Sequence, residues 1–444
     1  MAHDTTPNRY VPGEAAVSPA VRDRIDRRDR AMGPAYRLSY AKPVHFVRGE
    51  GVWLYDADGE AYLDFYNNVA SLGHCHPRVV DAMTRQAATL CTNTRYLHDA
   101  IIEYAELLTG LVPIPRGQAM FTCSGSEAND LACRIARHAT GGDGFIVTEY
   151  AYHGTSHLVA GLSPNLGPSV PLHPNVRTVP APAAARTAGD VGEMFKQHVT
   201  AAAEDLLRHG IRPAALLVDS LFSSDGIYAD PPGFLSGAVD AIRDAGGLFI
   251  ADEVQPGFAR TGDAMWGFER HGVIPDIATL GKPMGNGYPM AGLVAHADVV
   301  DGFGETSRYF NTFAGNSVAA ANGLAVLDVL QDEGLMANAK SVGGYLKDCL
   351  RSLGARRLGE VRGAGLFLGV EVVADRDAGT PDRAAARHLV NGLRDRKILI
   401  SSTGKHDNVL KIRPPLIATE EHVDRFMDAF VELLDEKAEP AHES

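Results

Sequence analysis

Short apolar runs without polar alternation recur along the middle of the chain, and amphipathic stretches separate them. Such runs are typical of strands buried on both faces, as in a parallel sheet that helices cover. Because strand and helix alternate, the pattern predicts an α/β core with a mostly parallel central sheet. The predicted strands lie at residues 119–121, 145–148, 214–218 and 247–251, and the predicted helices at residues 127–139, 192–209 and 233–245.

Other patterns flank this core. They predict a strand–turn–strand at 52–65, helices at 78–91 and 99–112, a surface excursion rich in Pro, Ala and Gly at 163–190, and one or two long helices at 316–351. From about Arg357 shorter strands (365–373, 397–401) mix with helices (382–395, 419–436), which indicates a smaller α+β domain. We predict an N-terminal arm with part of the small domain at 1–75, a large domain at 76–335 and the remaining small domain at 336–444.

Composition and charge limit the classes of function. The 444 residues carry a formal net charge of −13 with interleaved signs, so nucleic acid is not an expected partner. No run of 18 apolar residues and no signal-peptide pattern is present, so we expect no membrane association and a cytoplasmic location. Five scattered cysteines and 17 histidines show no metal-binding spacing, so buried thiols are expected and a metal site is not.

Lys282 is the first candidate for chemistry. It lies among small and glycine residues in TLGKPMGNG (279–287), directly after a predicted strand. A lysine that forms and exchanges a Schiff base needs space around its amine and benefits from a lowered pKa, because only the neutral amine attacks. Taken alone, the segment suits a structural loop lysine equally well.

Asp252 is the second candidate, because it ends a predicted buried strand. In α/β sheets the carboxyl ends of strands face the crevice where ligands bind. A carboxylate there could pair with the ring nitrogen of pyridoxal phosphate (PLP), keep that nitrogen protonated and make the ring an electron sink. A helix N-cap is the alternative for Asp252 on its own.

Two further segments offer what a phosphorylated aromatic cofactor needs. SGSEAN (124–129) opens a helix after a strand, so its glycine and free N–H groups could hold a phosphate. Tyr152 follows the strand at 145–148 and could stack on a heteroaromatic ring. A Gly-Ser turn is often only a turn, and a lone aromatic often belongs to the core. In combination with Lys282 and Asp252, however, the segments place a phosphate cradle, a stacking ring, an anion and a lysine along one sheet.

On these residues the chain resembles class III of the fold-type-I PLP enzymes, the aminotransferase-like superfamily. The resemblance covers about residues 30–436, and its most specific motifs are DEVQPGFARTG (252–262) and GKPMGNG (281–287). It implies PLP as the cofactor, Lys282 as Schiff-base lysine and proton shuttle, and Asp252 as partner of the pyridinium nitrogen. The other contacts it implies are Gln255 to the ring hydroxyl, Val254 and Tyr152 on the two ring faces, Gly125 and Ser126 at the phosphate, and Thr312 at the phosphate of a neighbouring subunit.

The match at Thr312 implies a homodimer, or a dimer of dimers, with shared active sites. A turn residue is the alternative interpretation of Thr312.

Two departures from the class III pattern concern the substrate. Transaminases of the class commonly carry an arginine three residues before a Pro-Pro pair, and many carry a glutamate that pairs with it. The matching residues here are Lys411 and Ser224, with Asp225 as a one-residue alternative for the glutamate. The forked guanidinium suits a carboxylate, whereas lysine is a point charge. The site is therefore poorly equipped for the two carboxylate substrates of a transaminase, unless Arg413 takes over.

Several other motifs are similar to the phospho-lyase branch, which includes ethanolamine-phosphate phospho-lyase; they lie at residues 67–70, 73–77, 92–99, 282–289 and 408–416. The resemblance implies elimination of phosphate from O-phosphoethanolamine, or a related phosphorylated amino alcohol, to give acetaldehyde, ammonia and phosphate. The alternatives are an ω-transaminase that uses pyruvate or glyoxylate, an ammonia-lyase for a hydroxylated aminophosphonate, and a non-catalytic PLP-binding relative.

A phosphorylated amine as substrate requires a second anion site. The basic candidates in branch-like motifs are Arg95, Lys405, Lys411 and Arg413. Arg95 could instead contact another subunit, and Lys405 could be a solvated loop charge.

Overall fold

The computed structural model describes residues 8–183 and 189–435. No helix in these ranges is long and apolar enough to cross a membrane. The helices are α1 (Pro19–Met32), α2 (Pro77–Thr89), α3 (Asp99–Leu111), α4 (Gly125–Thr140), α5 (His157–Ala160), α6 (Val191–Arg208), α7 (Ser236–Asp244), α8 (Ala297–Thr306), α9 (Ser317–Asp332), α10 (Leu335–Ser352), α11 (Arg383–Asp395) and α12 (Glu420–Asp435).

The strands divide among three sheets. They are β1 (Phe46–Glu50), β2 (Trp53–Asp56), β3 (Ala61–Asp64), β4 (Gly117–Thr122), β5 (Gly144–Thr148), β6 (Val176–Val179), β7 (Pro213–Asp219), β8 (Leu248–Asp252), β9 (Ile277–Leu280), β10 (Ala291–His296), β11 (Leu358–Ala364), β12 (Phe367–Asp375), β13 (Thr380–Pro381), β14 (Ile398–Leu399), β15 (Ser401–Thr403) and β16 (Val409–Ile412).

The central sheet has seven strands in the order β4-β10-β9-β8-β7-β5-β6. All neighbouring pairs from β9 to β6 are parallel, and β10 alone runs antiparallel to both of its neighbours. Consecutive strand residues pack into different cores: Leu216 joins the cluster with α6 and α7, and Leu217 joins the cluster with α4 and α8. Both faces are therefore buried, which explains the unalternating apolar runs and confirms the predicted α/β fold with a mostly parallel sheet.

Two smaller sheets flank the central one. In the first, β1, β2 and β3 pair antiparallel and β14 joins β3 in parallel, so the N-terminal strands pack with a strand from near the other end of the chain. In the second, β11, β12, β16 and β15 pair antiparallel, and β13 adds to β12. The proposed domain boundaries at residues 75 and 335 stay predictions.

The expectation that residues 163–190 form only a surface excursion was wrong for part of that segment. Val176–Val179 is the edge strand β6, which pairs in parallel with β5. Val176 and Val179 are both buried. A four-residue strand gives too short an apolar signal to stand out beside many Pro and Ala residues.

The central sheet brings several loops to one edge. Since β4, β5, β7, β8 and β9 run in the same direction, their carboxyl ends lie together. Ligands of open α/β sheets bind at this edge. Asp252 is the last residue of β8, and the segments after the other four strands contain Gly125, Tyr152, Ser223 and Lys282.

Candidate active site

Asp252 ends strand β8 and is only 4% exposed. Its Oδ2 accepts a hydrogen bond of 2.9 Å from Asn129 Nδ2 and lies 2.7 Å from His153 Nδ1. Its Oδ1 accepts the Val254 N–H at 3.1 Å. A buried carboxylate with three polar neighbours is held in one orientation, as a partner for a ring nitrogen must be.

Sequence reasoning gave no role to Asn129 or His153. Asn129 is itself fixed, since its amide donates to the His153 carbonyl at 2.8 Å and its oxygen accepts from Thr279 Oγ1 at 2.6 Å. Asn129 lies in the predicted phosphate segment SGSEAN (124–129), and His153 directly follows the predicted stacking residue Tyr152. The packing of α4 against β8 and β9 brings them to Asp252, and no local pattern encodes that contact.

Lys282 follows strand β9 and opens a short 3-10 helix, Lys282–Gly285. Burial lowers the pKa of its amine, the Asp252 carboxylate acts in the opposite direction, and the Arg413 cation lowers the pKa further. The same side chain lines a cavity of about 440 Å³. A lysine that combines a desolvated amine with an open approach has the properties required for Schiff-base exchange.

Val254 packs between two glycines. A Cβ atom at Gly125 would lie 2.8 Å from Val254 Cγ1, and one at Gly281 would lie 2.9 Å from the same atom. Any larger residue at either position would displace the valine. The two glycines thus let Val254, the start of α4 and the Lys282 loop approach one another closely.

The first turn of α4 is arranged to receive an anion. Ser124 caps the helix by accepting the Glu127 N–H, and the Glu127 carboxylate accepts the Cys123 N–H at 2.8 Å. The amides of Gly125 and Ser126 are at the helix start, where N–H groups lack intrahelical partners and the helix dipole is positive. Half-buried Tyr152 follows on the adjacent loop, and burial raises the pKa of its hydroxyl.

Gln255 lies in a polar network with the small antiparallel sheet. Its Oε1 accepts from Arg413 Nη1 at 2.7 Å and from Lys411 Nζ at 3.2 Å, and its Nε2 donates to Ser223 Oγ at 2.6 Å. The Ser223 hydroxyl in turn donates to the Asp219 carboxylate. Burial and the charge of Asp252 raise the pKa of Asp219.

Arg413 links this network to the cavity. The cavity is lined by Lys282 and Arg413, by the polar residues Ser39, Asp64, Asn67 and Asn68, and by aromatic and apolar residues that include Tyr40, Tyr66 and Val69. The guanidinium carbon of Arg413 lies 4.8 Å from the ring centre of Tyr66. Its Nε is buried and has no hydrogen-bond partner within residues 8–183 and 189–435. Arg413 therefore brings a cation to the cavity wall, which is what an anionic ligand requires.

The other basic candidates lie elsewhere in this chain. Arg95 is exposed, and its guanidinium stacks 3.6 Å from the ring centre of Phe310. Lys405 is 67% exposed, lies 3.8 Å from Glu149 and lines a separate cavity of about 820 Å³. Thr312 is also exposed. Of the four predicted phosphate ligands, the structure brings Lys411 and Arg413 to the Lys282 site.

Asp225, the one-residue alternative for the missing glutamate, is bonded to the end of β5 and the loop that follows it. Its carboxylate accepts hydrogen bonds from Thr148 Oγ1 at 2.8 Å and from the Tyr150 N–H at 3.1 Å. Burial raises the pKa of Asp225 to about 7. After β7, it is the side chain of Ser223 that accepts a hydrogen bond from Gln255.

These features fit PLP. The start of α4 would hold the phosphate, Asp252 the ring nitrogen, Val254 and Tyr152 the ring faces, and Lys282 the aldehyde carbon. The mostly parallel sheet and the position of the lysine define a fold-type-I PLP enzyme. The chain belongs to the aminotransferase class-III family, whose model matches residues 36–434, and its cofactor is PLP.

Similar proteins include both aminotransferase-like and lyase-like relatives. A solved phospholyase from Arthrobacter in complex with phosphoethanolamine is 41% identical, covers 94% of this chain and 100% of its own, and superposes with a TM-score of 0.90. The alanine–glyoxylate aminotransferase 2-like protein of Drosophila melanogaster is 40% identical over 93% of this chain and 87% of its own. The ethanolamine-phosphate phospho-lyase homolog 1 of Caenorhabditis elegans is 34% identical over 95% of each chain.

Proposed function

We propose that the protein is a PLP-dependent phospho-lyase that acts on O-phosphoethanolamine or a related phosphorylated amino alcohol. The observation that carries the proposal is the Arg413 guanidinium: the residue lines the Lys282 cavity, and its buried Nε–H has no hydrogen-bond partner among the residues that the structure describes. Lys411 contacts the same amide oxygen of Gln255 as Arg413 does. The similarity to the Arthrobacter phospholyase supports the same substrate class.

The electrostatics of the site favour a dianion over a carboxylate. Lys411 and Arg413 are buried and Lys282 is partly buried, and desolvation is the main cause that lowers the pKa of each. The charge of Arg413 lowers the pKa of each of the two lysines further. A phosphate group that brings two negative charges would relieve this repulsion more than a carboxylate can.

The residues of the chain can perform the elimination together. When bound, PLP supplies a carbonyl that binds the substrate amine and a ring that accepts electrons. The Lys282 amine accepts the proton from the carbon that bears the nitrogen. Asp252 holds a negative charge at the ring nitrogen, while Arg413 binds the phosphate. The C–O bond breaks and phosphate leaves with its electrons. Overall, phosphoethanolamine and water give acetaldehyde, ammonia and phosphate, and no keto acid is consumed.

The test of this function is an assay of the PLP-loaded protein with phosphoethanolamine and no keto acid. Phosphate and acetaldehyde are expected in equal amounts, and the Lys282→Ala protein is the negative control. A transaminase is the second candidate, since the Drosophila relative carries an aminotransferase name. Alanine or glycine formed from pyruvate or glyoxylate with an amine donor, without release of phosphate, would refute the lyase.

We also propose that the enzyme is a homodimer. The segment around Arg95 and the segment around Phe313 are linked, because Thr92 N–H donates to Ser317 Oγ at 3.2 Å. Four large apolar side chains in these segments are exposed, namely Leu90 (49%), Tyr96 (67%), Leu97 (95%) and Phe313 (74%). A contiguous exposed apolar surface is typical of a protein interface. Light scattering should give about twice the 47.4 kDa chain mass, and a monomer would contradict the proposal.

A further inference from the structure

The segment that follows strand β7 (222–226) forms one wall of the active site. Hydrogen bonds connect this wall to the small antiparallel sheet. Ser223, Ser224 and Gly226 of this wall offer their backbone carbonyls to residues of β11, β15, β16 and the adjoining loop. The donors are Thr403 Oγ1 to Ser223 O (3.0 Å), Lys411 Nζ to Ser223 O (3.2 Å), Gly404 N to Ser224 O (3.2 Å) and Arg362 Nε to Gly226 O (2.8 Å).

Among these four donors, Lys411 is the one that also contacts Gln255, at 3.2 Å. Its side chain is 7% exposed and its amine lies 5.4 Å from the ring centre of Phe367. Lys411 is not among the residues that line the cavity, whereas its neighbour Arg413 is. The amine therefore faces protein acceptors and not the space for substrate.

The contacts of Gln255 fix which way its amide points. Arg413, which can only donate, meets Oε1, and Lys411 lies at the same atom, so the NH₂ group must face Ser223 Oγ. The Lys411 amine has at least two N–H donors, so it can bridge the Gln255 oxygen and the Ser223 carbonyl at once. Without the Lys411 amine, Gln255 Oε1 would lose one of its two hydrogen bonds, and the Ser223 carbonyl would lose its hydrogen bond to β16.

We infer that Lys411 is a positioning residue, which ties strand β16 to Ser223 and orients the Gln255 amide beside the cofactor, while Arg413 meets the substrate anion. The assignment of Arg413 rests on the proposed function. The positioning role rests only on the contacts and on the PLP site of the family. The two parts can therefore fail separately.

The experiment compares PLP-loaded Lys411→Met, Lys411→Arg and Arg413→Met with the unaltered enzyme. Without substrate, the pH titration of the visible cofactor band reports the surroundings of the ring. Lys411→Met should shift its midpoint by about half a unit or more, because hydrogen bonds to ionising groups set such values. Lys411→Arg, which keeps a donor, should restore part of the shift. With phosphoethanolamine, Lys411→Met should lower kcat about tenfold and change KM by less than about twofold.

Arg413→Met provides the contrasting result. It should raise the KM for phosphoethanolamine about tenfold or more, since it removes the group that binds the anion. A Lys411→Met protein with an unchanged band titration and a tenfold higher KM would make Lys411 a substrate ligand and overturn the inference.

Ser223→Ala keeps the test decisive if Lys411→Met does not fold. It removes the hydroxyl that accepts the hydrogen bond from the Gln255 amide, so it should shift the midpoint of the band titration in the same direction and leave KM unchanged. An unchanged midpoint would again contradict the inference. If the unaltered enzyme releases no phosphate, the proposed function fails. The band titration, which needs no substrate, then still decides the role of Lys411.

Discussion

The Lys282→Ala protein is expected to lose turnover almost completely, with kcat lowered about 100,000-fold or more. Alanine removes both the amine that joins the cofactor and the base that accepts the substrate proton. Lys411 cannot easily replace it, because its amine is engaged by Ser223 and Gln255. Single-turnover kinetics and the absorbance of the bound cofactor measure the two losses separately.

Two controls separate chemistry from folding. Lys196→Ala removes an exposed lysine of helix α6 and should leave turnover unchanged. Added methylamine should restore a small, concentration-dependent part of the activity of Lys282→Ala, because a free amine can enter the cavity beside residue 282. Activity of Lys282→Ala within about tenfold of the unaltered enzyme would remove Lys282 from the mechanism.

Much of the fold was predictable because burial on both faces leaves a clear pattern. The run 214–218 became strand β7 (Pro213–Asp219), and the run 247–251 became β8 (Leu248–Asp252). Strand β10 (Ala291–His296) was not predicted, although it is as apolar as its neighbours. It follows β9 without an intervening long helix, so it breaks the strand–helix alternation from which the fold was predicted. Its position between β4 and β9 depends on how distant strands pair, which the local sequence does not show.

The candidate site was predictable to the extent that its residues follow strands. Asp252 ends β8 and Lys282 follows the neighbouring parallel strand β9, so the sheet alone places them at one edge. The support of Asp252 by Asn129 and His153 depends on how α4 and the loop after β5 pack, which no local spacing reveals.

The anion site was less predictable. In the sequence, Lys405 and Arg413 are both basic residues in motifs that resemble those of the phospho-lyase branch, so nothing local distinguishes them. They differ in burial, since Lys405 is 67% exposed beside Glu149 while Arg413 is 5% exposed at the Lys282 cavity. Burial of that kind comes from the pairing of β16 with β12 and β15 and not from neighbouring residues.

Asp252→Asn is expected to lower kcat about 1,000-fold while the protein stays folded. The asparagine has nearly the same shape and can still accept the Asn129 amide, so the hydrogen-bond frame around it survives in part. It carries no negative charge, however, and therefore cannot keep a ring nitrogen protonated. The electron sink weakens, and removal of the proton from the substrate carbon becomes slower.

Asp276→Asn is the matched control for Asp252→Asn. Asp276 also lies beside β8 and β9, but at their opposite ends, where its carboxylate accepts the Phe249 N–H at 2.8 Å and pairs with Arg243. That variant should lose some thermal stability and keep its kcat, because the residue is remote from the cofactor site. Rapid-quench measurement of proton exchange at the substrate carbon locates the affected step. If Asp252→Asn exchanges that proton as fast as the unaltered enzyme, the charge of Asp252 is not what activates the cofactor.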